Sequence, residues 1–248
     1  LESDYSQLEL RVAAMLSNDR VMIQDFKDGI DIHMNNATEL CELAWGIKRA
    51  KWDAMTKEER DPYRSQVKSI AVFGKLYGKT DNTMAGELGC SKAQIQIINK
   101  KIWGRYHRLD AWTRELKEQG QREGGMWTFW NGQKARWRPL WEVADADEGR
   151  RIHAINGLVN GPCQGTAADY MTASLWPVCN WILEESFPAR VVATVHDSIL
   201  LEVHKRHVAE AAAKVKAIMQ SHYSGDVLLD VDQAVGEAWG SLDRLKVG

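Results

Sequence analysis

Two apolar runs separated by two residues constrain this chain more than any other feature. Val191-Val192-Ala193-Thr194-Val195 and Ser198-Ile199-Leu200-Leu201-Glu202-Val203 are rich in β-branched and aliphatic residues, and only His196 and Asp197 lie between them. This pattern predicts a β-hairpin closed by a tight turn. Downstream, Val208, Ala211, Ala212, Val215, Ile218 and Met219 recur at helical spacing, which gives a helix with one apolar face. At the other end of the chain, residues 1–7 read as a short strand. A helix follows from Leu8, with Leu8, Val12, Met15 and Leu16 on one face.

The middle of the chain reads differently. Residues 62–77 predict a helix that opens on Pro62, a favourable first-turn residue. Residues 92–119 are mostly helical. Gly124-Gly125 and Asn131-Gly132 punctuate a second hairpin over 126–137, and 150–183 is helical with a break near Gly161-Pro162. A sheet covered by helices, with a mainly helical block inserted into it, makes the fold class α+β.

Composition excludes little. The 248 residues carry a formal net charge of -2, and 44% are hydrophobic, as in an ordinary globular protein. The local distribution says more. From Lys100 to Arg138 there are ten Lys or Arg against four Asp or Glu, and six of the eleven tryptophans lie between Trp103 and Trp141. Interleaved basic and aromatic residues suit a surface that follows phosphates and stacks bases, although an amphipathic helix with a solvated basic face gives the same composition. The four cysteines, Cys41, Cys90, Cys163 and Cys179, form no CxxC pair and fit reduced thiols. No apolar run approaches the ~18 residues of a membrane span. The chain starts at Leu1 rather than Met and is expected to be cut from something longer.

Two carboxylates stand at strand ends, Asp4 and Asp197. Alone, each reads as a turn former or a helix cap. If their strands are neighbours, the pair converges on a sheet edge and suits two divalent cations about 4 Å apart. Arg64 and Lys68, spaced i, i+4 on the helix from Pro62, would attract a triphosphate, with Phe73, Gly74, Tyr77 and Gly78 beyond them.

Taken together these segments resemble a known family. Asp4-Tyr5-Ser6-Gln7-Leu8-Glu9-Leu10-Arg11 resembles motif A of family A DNA polymerases. Arg64 through Gly78 resembles motif B, and Val195-His196-Asp197-Ser198 resembles motif C. Asp31-Ile32-His33 and Gln164-Gly165-Thr166-Ala167-Ala168-Asp169 also match, in the family's order, so the resemblance covers nearly the whole chain.

The resemblance implies a template-directed DNA polymerase that transfers a nucleotide from dNTP to a primer 3′ hydroxyl. It implies two Mg²⁺ ions on Asp4 and Asp197, assisted by the Tyr5 carbonyl. Gln7, Glu9, His33, Arg64, Lys68, Phe73 and Tyr77 would hold the nucleotide, with Glu9 excluding a ribose 2′ hydroxyl and Lys68 giving a proton to the leaving pyrophosphate. Asn160, Gln164 and His196 would contact primer and template. Residues 1–19 and 156–248 would form the palm and 20–155 the fingers. The thumb and exonuclease that precede motif A in the family would come from a second polypeptide. The family setting implies a cytoplasmic protein of a bacterium or a phage-infected cell.

Three departures qualify the resemblance. Phe73 follows Lys68 by five positions where the family has four, so a π-bulge is needed to keep both on one face. Ser198 stands where many members have Glu, and Asn156 where many have Arg. A single-subunit RNA polymerase shares this palm, but Glu9 argues against it. A nucleic-acid-binding remnant with decayed catalysis is the alternative from another functional class.

Overall fold

A computed structural model describes residues 1–68, 73–139, 147–222 and 225–245. The chain divides into two compact units. One comprises Leu1–Ala13, Thr128–Arg136 and Cys163–Gly248; the other comprises Ala14–Trp127 and Trp137–Pro162.

The first unit is built on a five-stranded antiparallel sheet. The strands are β1 (Glu2–Tyr5), β4 (Ala189–Val195), β5 (Ser198–Val203), β6 (Val231–Val235) and β7 (Asp243–Arg244), in the order β4-β5-β1-β6-β7. β1 is central because its side chains serve both faces. Ser3 and Tyr5 are buried on one face, whereas Glu2 and Asp4 point to the other. Helix α11 (Val208–Gln220) covers the buried face with Ala211, Ala212, Val215 and Met219. The Tyr5 hydroxyl fixes that packing: it donates to the Met219 carbonyl at 2.6 Å and lies 2.6 Å from Ser174 Oγ. The expected hairpin is present as β4 and β5, with a bulge between Val191 and Ala193.

The second unit is helical, consistent with an α+β fold overall. It contains α2 (Arg20–Lys27), α3 (Ile32–Trp45), α4 (Arg49–Ala54), α5 (Lys57–Gln66), α6 (Phe73–Leu76), α7 (Asp81–Leu88), α8 (Lys92–Arg105) and α9 (His107–Glu123). The buried Asp19 organises its core. One oxygen accepts from the amides of Val21 and Met22 at the start of α2, and the other accepts from Arg108 and Leu109 at the start of α9. Helix α1 (Leu8–Ser17), helix α10 (Glu148–Glu184) and the hairpin of β2 (Gly125–Trp130) and β3 (Gln133–Pro139) belong partly to each unit.

Two sequence expectations need correction. The helix expected from Pro62 starts earlier, at Lys57, because Thr56 and Glu59 form a reciprocal capping box. Pro62 therefore lies inside α5. The stretch expected to be mostly helical over 92–119 is so, as two helices, α8 and α9, which meet at Tyr106. The break expected at Gly161-Pro162 does not occur, since α10 runs through it. Gly161 is there for packing: a Cβ would meet the Met126 sulfur at 1.9 Å. Among the described residues, no helix is long and apolar enough to cross a membrane.

Candidate active site

Each unit brings together one group of the residues singled out by sequence. In the first unit, the Tyr5 amide donates to the Asp197 carbonyl at 3.1 Å, which ties the end of β1 to the β4–β5 turn. Asp4 and Asp197 thereby converge as expected, close enough for Asp197 to oppose ionisation of Asp4. Both turns that present them carry a non-glycine residue in the left-handed region, Gln7 at φ 55° and His196 at φ 54°. Such strain persists only where the surroundings enforce it, and it concentrates at functional sites. For His196, positive φ is also what a two-residue hairpin turn requires.

The electrostatics of this face are those of crowded anions. Asp4 pairs across the sheet with Ser198 on one side and Asp232 on the other. Burial pushes the Asp4 carboxyl up to about 7, and Asp197, Glu2 and Asp232 add to the shift. A site that penalises its own negative charge in this way fits a divalent cation, which would reverse the penalty. Among the described residues, no set of three or more His, Cys, Asp or Glu side chains is arranged to hold a metal. The pair suits a cation that completes its shell with substrate phosphates and water.

Asp232 was not singled out by sequence. It sits on β6, a five-residue strand, and forms an ion pair with Arg244 of β7. A pocket of about 290 Å³ is bordered by Glu2, Asp4, Asp232 and Arg244. Ser198 is buried, with its hydroxyl 3.1 Å from the Val195 carbonyl and 3.3 Å from a Glu2 carboxylate oxygen. Glu9 is half-buried on the first turn of α1, Gln164 is exposed on α10, and His196 is exposed at its turn.

The second unit holds the cationic group. Asp31 caps α3, accepting from the amides of His33 and Met34 at 3.0 and 3.1 Å. Its other oxygen accepts from Arg64 Nε at 2.6 Å. Burial works against the charge on Asp31, but the Arg64 hydrogen bond and the Met34 amide hold its carboxyl below the usual range. His33 is fully buried beside this pair. Burial lowers its imidazole to about 3; Asp31 opposes the shift, and Arg64 and Lys68 reinforce it.

Helix geometry changes within motif B: Val67 and Lys68 are π-helical, Val67 buried and Lys68 exposed. That is where absorption of the extra residue would begin. Residues 69–72 and the Phe73 side chain lie outside the described residues, so the expected bulge cannot be followed further. Tyr77 is half-buried. Gly78 takes φ 80° and packs so closely that a Cβ would meet the Asn156 side chain at 2.1 Å. Asn156 donates to the Gly78 carbonyl at 3.4 Å. Asn160 is half-buried on α10, and its Oδ1 has no hydrogen-bond partner among the described residues.

Comparisons with known proteins point to one family. The family model described as DNA polymerase family A matches residues 1–241. DNA polymerase I of Pseudomonas aeruginosa is 29% identical over 96% of this chain and 24% of its own length. The thermostable DNA polymerase I of Thermus aquaticus is 30% identical over 95% of this chain and 26% of its own. The chain thus spans about a quarter of the length of these curated relatives. A solved structure, the POL domain of Pol1 from M. smegmatis in complex with DNA primer-template and dNTP, superimposes with a TM-score of 0.77. It is 28% identical and covers 93% of this chain and 38% of that one.

Proposed function

Since the chain belongs to DNA polymerase family A, we propose that it is the catalytic portion of a DNA-directed DNA polymerase, joining dNTP to a primer 3′ hydroxyl on a template. The primer oxygen forms a bond to the α-phosphorus, and the bond to the leaving pyrophosphate breaks. The observation that carries this reading is the convergence of Asp4 and Asp197 on a face where burial and neighbouring carboxylates oppose ionisation.

Asp4 and Asp197, with the Tyr5 carbonyl, would hold two Mg²⁺ ions. When bound, these ions would lower the cost of charge on the attacking and leaving oxygens. The protein's own residues do the rest. His33, Arg64 and Lys68 bind the triphosphate, and the Lys68 ammonium gives a proton to the leaving pyrophosphate. Gln7 and Phe73 flank the incoming nucleotide, and Glu9 rejects a 2′ hydroxyl. Tyr77 guards the templating position. Asn160, Gln164 and His196 contact primer and template.

The same reading assigns residues 1–19 and 156–248 to a palm and 20–155 to fingers.

Primer extension with Mg²⁺, dNTPs and a primed template tests the proposal, using the chain alone and with a thumb-bearing polypeptide. Extension that is lost in Asp4→Ala and Asp197→Ala is the expected result. Intact DNA binding without extension under either condition would favour the decayed remnant instead.

A further inference from the structure

We propose that Asp31 is a positioning residue for nucleotide binding: it holds Arg64 in the orientation that grips the triphosphate. This rests on the reading of Arg64 as a triphosphate ligand.

The two oxygens of Asp31 do different jobs. Oδ1 is committed to the α3 N-terminus through the amides of His33 and Met34. That fixes the carboxylate plane, because an N-cap side chain bonded to two amides has little rotational freedom. Oδ2 is thereby aimed at Arg64 and accepts from Nε at 2.6 Å. The contact engages only the inner nitrogen of the guanidinium. Arg64 makes no other side-chain hydrogen bond among the described residues, so the two terminal nitrogens are left to make the parallel N–H contacts by which arginine binds phosphate.

Charge points the same way. Lys68 follows Arg64 by four positions, and the positive charges of both disfavour the charged form of the buried His33. Two cations side by side repel, and a flexible arginine would relieve the repulsion by swinging into water. The Asp31 contact offsets that repulsion and keeps Arg64 in place before any anion arrives. Preorganisation of this kind lowers the ordering cost of binding.

The alternative is that Asp31 merely caps α3, and Asp31→Ser separates the two roles. Serine is a good N-cap residue, but its hydroxyl is too short to cap the helix and reach Arg64 together. The probe is inorganic tripolyphosphate binding to the full chain by calorimetry, together with the Arg64 Nε–H resonance. We expect Asp31→Ser to keep the thermal midpoint, shift that resonance and weaken tripolyphosphate binding roughly tenfold. Arg64→Ala should weaken it similarly, and the double variant should be no worse than Arg64→Ala alone. In primer extension the loss should appear in KM for dNTP rather than in kcat.

Wild-type affinity in Asp31→Ser, or multiplicative losses in the double variant, would overturn the proposal, as would absence of tripolyphosphate binding to the wild-type chain. A chain that binds tripolyphosphate in the expected pattern yet extends no primer would leave this inference standing and remove the polymerase reading.

Discussion

Asp4 and Asp232 face one another across the β1–β6 pair, and Arg244 binds Asp232 from the far side. Directly opposed residues carry Cβ atoms roughly 5 Å apart, where like charges are destabilising. Asp232 thus raises the cost of ionising Asp4, and Arg244 offsets part of that cost. The two neighbours should tune cation binding in opposite directions. Asp232→Asn removes one negative charge near the cation and should weaken Mn²⁺ binding by less than about tenfold; Arg244→Gln should strengthen it by a similar factor. Asp4→Asn should cost roughly a hundredfold or more. Mn²⁺ titration followed by electron paramagnetic resonance measures all three. A loss in Asp232→Asn as deep as in Asp4→Asn would make Asp232 a ligand and not a background charge.

Glu9, on the first turn of α1, is the residue proposed to reject ribose. Truncation to Ala should open room for a 2′ hydroxyl without disturbing Asp4 on β1. The ratio of rNTP to dNTP incorporation, taken as kcat/KM, should rise by roughly 10- to 200-fold, the range expected when a small steric barrier is removed. An unchanged ratio would move discrimination elsewhere.

Asp19 caps two helices at once, which sets its contribution to stability apart from that of an ordinary cap. A single N-cap replaced by Ala costs about 1 kcal/mol. Asp19→Ala strips acceptors from four amides, those of Val21, Met22, Arg108 and Leu109, in a buried setting. The expected loss is roughly 2–4 kcal/mol. Asp19→Asn, which keeps one acceptor oxygen, should lose less. Urea denaturation of the three proteins provides the comparison, and equal losses in both variants would rule out the double cap as the cause.

Residues near in sequence were the most legible. The β4–β5 hairpin could be read because two uninterrupted apolar runs flank a two-residue turn, and the convergence of Asp4 with Asp197 followed once the strands were taken as neighbours. Thr56 and Glu59 carried a visible capping signal, but Pro62 was the louder cue and drew the helix start five residues too late. Gly161 and Pro162 were read as a break because sequence alone does not show that the Met126 sulfur occupies the space of a Cβ. Asp232 was hidden by β6 itself, whose Gln233 takes a buried position that ordinarily belongs to an apolar residue. Nor could spacing show that Asp31 reaches Arg64: the contact spans 33 residues, across α3, α4 and most of α5, and exists only after α3 and α5 pack.

The buried His33 supplies the pH dependence. Its pKa is about 3 in the folded protein against an ordinary 6.5, with burial the main cause. Between those values only the unfolded chain takes up a proton at this residue, so stability is full above pH 6.5 and is lost as pH falls toward 3. The loss should approach roughly 1.4 kcal/mol per pH unit in that window. At pH 7–8 the ring is neutral, so it adds no positive charge beside Arg64 and Lys68. The difference in unfolding free energy between wild type and His33→Gln should therefore be flat above pH 7 and slope below it. The His33 ring resonances should show no titration step between pH 5 and 8. A step near 6.5 would mean that the imidazole ionises in the folded protein, and the triphosphate would then meet a third positive charge beside Arg64 and Lys68.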